Sequence, residues 1–310
     1  MRRLRGLSAR LCALCAGLAV LAAGAGELTC VTWNMKWFPS GGRGRRLSEA
    51  EERDRVASAA RVLGAAVEAA GGRRDRAVFC LQEVRDGAVC SNLVDKIGGA
   101  RLRVAALSAF RDVYGRPLGQ QMAILSSLDV VEAASPSWHG AGGMQFGRGC
   151  AYAVLDLGDG TYAAVFCVHL KSNLNPAHDE VETQRNIYKR EMTGQQVLDR
   201  LRTLRGRYGD RLGRVVVAGD FNTNEDDDTF VSEATLRAFY GAHFRNAFTG
   251  LLPAARVTWP ARGNFPGATL DHILFRGFGR PEGRAILDVD ALGLSDHRPV
   301  AVALGDGEGK

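Results

Sequence analysis

Six short stretches of this 310-residue chain end or begin an apolar run with side chains able to hold a cation or move a proton. Leu28 to Asn34 alternates as a strand and finishes on Asn34, while Ala77 to Leu81 runs straight into Gln82 and Glu83. Both place an oxygen just past a strand end, where ligands of open sheets collect, so Asn34 and Glu83 are candidate ligands for a hard divalent ion. Val165 to Val168 leads into His169, Leu170, Lys171, Ser172 and Asn173. His169, Lys171 and Asn173 thus offer an imidazole, an ammonium and an amide that suit a bound phosphate. Val215 to Gly219 runs into Asp220, Phe221 and Asn222. A two-residue step in extended chain sends Asp220 and Asn222 to one face and Phe221 to the other. Asp271 stands at the mouth of the run Ile273 to Phe275, and Asp296 with His297 comes just ahead of Val300. Asp296 is then a metal ligand and His297 a group that works on the substrate. A second carboxylate such as Asp271 would hold the tautomer of His297 and raise its basicity.

Each of these residues alone has a plainer reading, a strand-end polar group bonded to a loop. Asp226, Asp227 and Asp228 are read that way, as a solvated helix start, because three consecutive residues do not converge easily on one ion.

The elements that must position these groups follow an α/β pattern. Short runs rich in valine, alanine, isoleucine and leucine recur between Leu28 and Val302, and two clear helices interrupt them. The first helix begins at Ser48, where Ser48 and Glu51 form a capping box, and its stripe is Val56, Ala59, Leu63, Ala66 and Val67. The second covers roughly Val181 to Leu204, with Val197, Leu198, Leu201 and Leu204 inward. Between them, 101–110, 121–133, 149–156 and 161–169 read as a meander of consecutive strands, with Gly158-Asp159-Gly160 as a hairpin turn. Strands follow at 214–219, 270–275, 286–290 and 299–303, with a short helix at 229–240. Two packed sheets flanked by helices satisfy this order.

Residues 1–25 are set apart. Arg2, Arg3, Arg5 and Arg10 precede the apolar run Leu11 to Ala22, and Ala23-Gly24-Ala25 follows. About twelve apolar residues fall short of the roughly 20 that span a bilayer, so the pattern predicts a secretory leader cleaved near Ala25. The expected product is a single domain over 26–310, secreted or periplasmic, monomeric and without stable membrane association. Its formal charge drops from +6 to +2 with the loss of four arginines. Affinity for polyanions must then come from local clusters, of which Arg43, Arg45 and Arg46 form the strongest. Five of the seven cysteines remain: Cys30, Cys80 and Cys167 inside strand-like runs, and Cys90 and Cys150 near predicted loops, where a disulfide between the last two is one option. No C-x-x-C spacing marks a structural zinc site.

In this order and spacing, W-N-M at Trp33, L-Q-E-V at Leu81, H-L-K-S-N at His169, G-D-F-N at Gly219, L-D-H-I-L-F at Leu270 and S-D-H-R-P-V at Ser295 resemble the endonuclease/exonuclease/phosphatase superfamily, the deoxyribonuclease I-like fold. The chain looks like an exported, bacterial-type member, and the resemblance runs from Leu28 to about Val302. It implies a four-layer α/β/β/α sandwich of two mainly antiparallel sheets with a Mg²⁺ or Mn²⁺ site at one edge. It also implies roles: Asn34, Glu83 and Asp296 bind metal, Asp220 with Asn222 orients water and phosphate, Asp271 supports His297, and His169 donates to the phosphate or leaving group.

Such a superfamily holds nucleases, inositol-phosphate phosphatases and sphingomyelin phosphodiesterases, together with some inactive proteins. The H-L-K-S-N segment departs from the histidine segment expected of a sphingomyelinase, and the Asp271 segment lacks the tryptophan-and-arginine signature of inositol 5-phosphatases. An abasic-site repair enzyme would work on intracellular DNA, which the leader argues against. The expectation is a metal-dependent phosphodiester hydrolase, a secreted nuclease cleaving DNA with little sequence preference, with Arg43, Arg45 and Arg46 on backbone phosphates. The competing expectation is an exported phosphatase or phosphodiesterase for a small or lipid-linked ester, which the charge of +2 also fits. A binding protein without turnover is disfavoured because every expected polar position is filled.

Overall fold

In the computed structural model, residues 26–306 are described except 100, 113, 138–148, 174, 176–178 and 264, so the leader and cleavage point expected within residues 1–25 lie outside the described residues. The chain opens with β1 (Leu28–Phe38), α1 (Glu49–Ala69), β2 (Ala77–Val84) and α2 (Gly87–Ile97). Next come β3 (Arg103–Leu107), β4 (Gln121–Ser126), β5 (Asp129–Ala134), β6 (Cys150–Asp156) and β7 (Tyr162–His169). The remainder is α3 (Glu180–Tyr208), β8 (Arg214–Asp220), α4 (Thr235–Gly241), β9 (Arg245–Asn246), β10 (Asp271–Arg276), β11 (Pro281–Ile286) and β12 (Val300–Leu304).

Two six-stranded sheets result, in the orders β11-β12-β1-β2-β4-β3 and β5-β6-β7-β8-β10-β9. Leu28, Cys30, Val78, Cys80 and Ile124 of the first sheet meet Ala151, Val165, Cys167, Val216 and Ile273 of the second in a largely apolar middle layer, in which the buried Thr32 and Gln82 bond each other and Gln82 Nε2 donates to Cys167 Sγ. The opposite face of the first sheet, with Val31, Trp33 and Phe79, is covered by Val56, Leu63 and Val67 of α1 and by Val89 and Leu93 of α2. Val197, Leu201 and Leu204 of α3 and Phe239 of α4 cover the outer face of the second. Strands buried on both faces read as unbroken apolar runs, as β2, β7 and β8 do. The four-layer sandwich is the expected fold.

One topological detail carries the function. Each sheet is antiparallel except for one central pair, β1 with β2 and β7 with β8. Parallel neighbours run toward the same edge, so Asn34 and Glu83 come together where the β1–β2 register breaks near the ends of those strands, while His169 and Asp220 end β7 and β8 in register. Strands antiparallel to these begin at that edge. Asp271 therefore opens β10 opposite Asp220, and Asp296 and His297 sit just before β12, which pairs with β1.

The Ser48–Glu51 capping box is present, and Asp156 faces Tyr162 across the expected glycine hairpin. Several expectations change. The segment 121–133 is two strands: β4 belongs to the first sheet and β5 to the second, and the chain crosses between them at Ser127 and Leu128. Ser126 makes the crossing possible, its hydroxyl donating to the Leu128 carbonyl and accepting the Leu128 N–H. A strand expected at 286–290 lies instead at Pro281–Ile286 on the sheet edge. The helix α2 was not expected; Asp86 caps it by accepting from the Val89 N–H, and Val89, Cys90, Leu93 and Ile97 form its buried stripe. The expected helix at 229–240 divides into a short turn, Asp228–Phe230, capped by Asp227, and α4. Cys90 and Cys150 are both free and buried, on opposite sides of the sandwich, so no bridge joins them.

Candidate active site

Asp220 is the meeting point. Its Oδ2 accepts from Asn34 Nδ2 at 2.9 Å, lies 3.6 Å from His169 Nε2 and 3.9 Å from His297 Nε2, and its Oδ1 accepts from the Asn222 backbone N–H at 2.9 Å. Glu83 borders the same space, with Oε1 3.8 Å from His169 Nε2 and 3.5 Å from Asn34 Nδ2. His297 Nδ1 meets Asp271 Oδ2 at 2.8 Å, which fixes the ring and directs Nε2 toward Asp220. Side chains as far apart in the chain as Asn34 and His297 thus share one pocket formed by the facing edges of both sheets.

The backbone is bent to achieve this. Among the described residues, the non-glycine positions with left-handed φ are Lys36, Trp37, Glu83, Asn222 and His243, and the first four lie in the site. Each such residue costs on the order of 1–3 kcal/mol unless its surroundings over-determine it. Here side chains do so: the Lys36 N–H donates to Asn34 Oδ1 at 3.1 Å, the Trp37 N–H to Glu83 Oε2 at 2.9 Å, and the Asn222 N–H to Asp220. These bonds both offset the strain and pin the functional oxygens. Asp220 and Asn222 therefore converge through a turn and not through the extended step expected of them, although Phe221 does face the helical side of the sheet, against Phe239. Gly219 is needed beside them: its φ is +148°, and a Cβ there would lie 1.9 Å from the Val168 carbonyl oxygen of β7.

Further polar groups, not expected from the sequence to be site residues, hold Asp271 and His297 in place. Ser295 Oγ donates to the Asn34 carbonyl at 2.6 Å and accepts from the His297 N–H, Trp33 Nε1 donates to the His297 carbonyl at 2.8 Å, and Thr258 Oγ1 accepts from the Asp271 N–H at 3.0 Å. Lys36 is a further member, its Nζ 2.9 Å from Asp296 Oδ2. Lys36 and Ser295 adjoin residues that the sequence did mark, Asn34 and Asp296, whereas Thr258 leaves no such local signal.

Burial pushes the Asp220 carboxyl up to about 7, with the Asp271 charge adding to the effect and the His297 charge opposing it. For His297, burial disfavours the charged ring, but the carboxylates of Asp271 and Asp220 overcome it and raise the imidazole to about 10. Asp296 is held below the ordinary carboxylate range: its burial works upward, and the Lys36 hydrogen bond and His297 charge outweigh that. The pocket thus pairs a carboxyl that titrates near neutrality with an imidazolium.

The donor set fits a hard divalent ion. Ligand atoms of Asp220, Asp271 and His297 lie within 4.8 Å of one another, and Asp271 Oδ1 is buried with no hydrogen-bond partner among the described residues. Oxygen-rich sites of this kind select Mg²⁺ or Mn²⁺ over softer metals. Asp271 Oδ2 and His297 Nδ1 are bonded to each other, and the carboxylates of Glu83, Asp220 and Asp296 each accept at least one hydrogen bond, so an ion taken by those three would replace N–H donors there while Asp271 Oδ1 is already open.

Not every candidate joins the cluster. Lys171 is half-buried and Asn173 exposed along the loop after His169, and the Lys171 carbonyl is tied to α3 by Arg190 Nη1 at 3.1 Å. Arg43, Arg45 and Arg46 are exposed in the turn between β1 and α1.

The sequence profile described as the Endonuclease/Exonuclease/phosphatase family matches residues 31–297. No curated protein matches the chain. Solved structures do. TDP2 from C. elegans is 15% identical, covering 94% of this chain and 80% of its own, with a TM-score of 0.59. An endonuclease/exonuclease/phosphatase from Beutenbergia cavernae is 17% identical over 91% and 72% of the two chains, with a TM-score of 0.60. A mannosyl-6-phosphatase from Bacteroides thetaiotaomicron is 16% identical over 89% and 99%, with a TM-score of 0.57. At such identities these likenesses speak for the fold alone.

Proposed function

Because this chain belongs to the endonuclease/exonuclease/phosphatase family, whose members are metal-dependent phosphoester hydrolases, we propose that it hydrolyses phosphodiesters of DNA with little sequence preference, as an exported enzyme using Mg²⁺ or Mn²⁺. The observation that carries the hydrolytic reading is Asp220, a buried carboxylate met by Asn34, His169, Asn222 and His297 from both sheets.

A phosphodiester is an anion that repels hydroxide and leaves a poor alkoxide. A divalent ion held by Glu83, Asn34 and Asp296, with Asp220 at its border, would neutralise the nonbridging oxygens and the departing alkoxide. Asp220, titrating near neutrality, accepts the proton of the attacking water. Asn34 and the Asn222 N–H aim its two oxygens. His297, kept protonated by Asp271, donates from Nε2 to a phosphoryl oxygen, and His169 Nε2 donates on the side of Glu83. Electrostatic stabilisation supplies the larger share, since acid–base assistance contributes about 10² to 10⁴.

The nuclease reading draws on Arg43, Arg45 and Arg46, exposed on the turn that follows the strand of Asn34. The charge of +2 without the leader favours a second reading, an exported phosphatase or phosphodiesterase for a small or lipid-linked ester. Export rests on the pattern of residues 1–25.

The test uses the purified chain from residue 26 with Mg²⁺, plasmid DNA and a panel of small phosphate esters. DNA cleavage is expected to fall with salt, and changing Arg43, Arg45 and Arg46 together to alanine should flatten the log–log slope by about 2 to 3. Turnover of a small ester at a rate indifferent to salt, without DNA cleavage, would replace the nuclease with the second reading. Hydrolysis undiminished in chelator would remove both.

A further inference from the structure

The pocket contains a cation of its own. Lys36 lies two residues beyond Asn34 on β1, and consecutive left-handed residues, Lys36 at φ +47° and Trp37 at φ +50°, turn the chain there. The turn is held from both sides, by Asn34 Oδ1 on the Lys36 N–H and by Glu83 Oε2 on the Trp37 N–H. Its result is an ammonium 2.9 Å from Asp296 Oδ2, with the Lys36 side chain about one-third exposed and that of Asp296 about one-fifth. Two of the oxygens that fix the turn belong to residues expected to hold the divalent ion, and the carboxylate at its end belongs to the third.

An ammonium and a divalent ion cannot share that carboxylate without cost. A small hard cation takes a carboxylate oxygen at about 2.0–2.2 Å, while the ammonium on Asp296 stands one hydrogen-bond length away, and the two positive charges repel. Lysine is suited to yielding, being a point charge on a flexible four-carbon stem. We infer that Lys36 is a resident competitor for Asp296: its ammonium holds the carboxylate until a divalent ion takes it, then turns to the anionic phosphate of the substrate. This rests on the metal-dependent reading of the site and adds a consequence. The free protein binds its ion weakly, and Lys36 becomes a phosphate contact only when the ion is in place.

The experiment is titration of Mn²⁺ into the protein without substrate, read by calorimetry and by the free-ion paramagnetic signal. Lys36→Met removes the charge at nearly constant length and should tighten Mn²⁺ binding about tenfold, whereas Lys36→Arg should bind like the parent. In an Asp296→Asn background the same Lys36→Met change should have no effect, because the contact through which it acts is gone. Equal or weaker affinity in Lys36→Met overturns the inference. So does tightening that persists with Asp296→Asn, which would mean a diffuse charge effect. Either result alongside retained metal-dependent hydrolysis leaves the functional reading standing; absence of Mn²⁺ binding in every variant defeats both.

Discussion

Glu233→Gln is the most informative single change outside the pocket. Arg190 of α3 and Glu233, just before α4, are each about 1% exposed and paired twice, Nε to Oε1 at 2.8 Å and Nη2 to Oε2 at 2.5 Å. Thr235 Oγ1 also donates to Glu233, and Arg190 Nη1 donates to the Lys171 carbonyl. Removing only the negative charge strands a guanidinium in an interior that solvates it poorly, and breaking a buried pair this way costs about 3–5 kcal/mol. Glutamine can still accept one bond, which places the expected loss near the lower figure, about 3 kcal/mol. For a chain of this size, at about 2.1 cal/mol/K of unfolding entropy per residue, that is a fall in melting temperature of roughly 5 °C. Arg190→Met with Glu233→Met removes both charges and leaves only the Lys171 carbonyl, in a part-buried loop, and the Thr235 hydroxyl short of a partner, about 1 kcal/mol each at the low end of that penalty. The double variant should therefore be more stable than the single one. Urea unfolding followed by tryptophan fluorescence measures both. The loop after His169 adds a second readout: without the tie to Lys171 the double variant should raise KM even though its stability recovers. A Glu233→Gln protein within about 1 kcal/mol of the parent, or a double variant less stable than the single, would refute the reasoning.

Three further outcomes are expected. Asp220→Asn or His297→Ala should fold normally by circular dichroism yet lose at least about 10³ in kcat; full activity in both variants would remove the assigned chemistry. In chelator, stability should decline as pH rises from 7 toward 10. The His297 imidazole, raised to about 10 in the fold, contributes fully only below its ordinary value of 6.5 and loses that contribution as it deprotonates. Asp220, raised to about 7, has lost its own contribution by then, so Asp271→Asn alone should flatten the melting-temperature profile in this window. Finally, Gly219→Ala must move β7 away from β8, because its Cβ would lie 1.9 Å from the Val168 oxygen. The expected loss exceeds about 3 kcal/mol, read by urea unfolding, and a near-normal midpoint would show that the strands can yield there.

Local chemistry accounts for much of what could be read in advance. Ser48 with Glu51, and Asp159 between two glycines, announce a cap and a hairpin because both depend on residues only a few positions apart. Eight of the pocket's polar residues were legible for a related reason: each breaks the apolar pattern near the point where a buried strand meets solvent. Periodicity could not divide 121–133 between sheets, since both halves are apolar enough to pack and only a serine bonded to its own chain marks the crossing. It also missed α2, whose eleven residues follow β2 after a two-residue connection.

What the chain determined by itself was therefore the inventory: which side chains end which strands, and that carboxylates, imidazoles and amides recur there in a recognisable order. Tertiary structure decided their meeting. Parallel pairing of β1 with β2 and of β7 with β8 brings four strand ends to one edge, and the packing of the sheets sets Asn34 against Asp220 across 186 positions. The same packing gives Asp296 to Lys36 and buries Arg190 with Glu233. Contacts between residues so distant in sequence are selected by which strands pair and in what register, and a pattern of neighbours in one strand carries no information about the strand beside it.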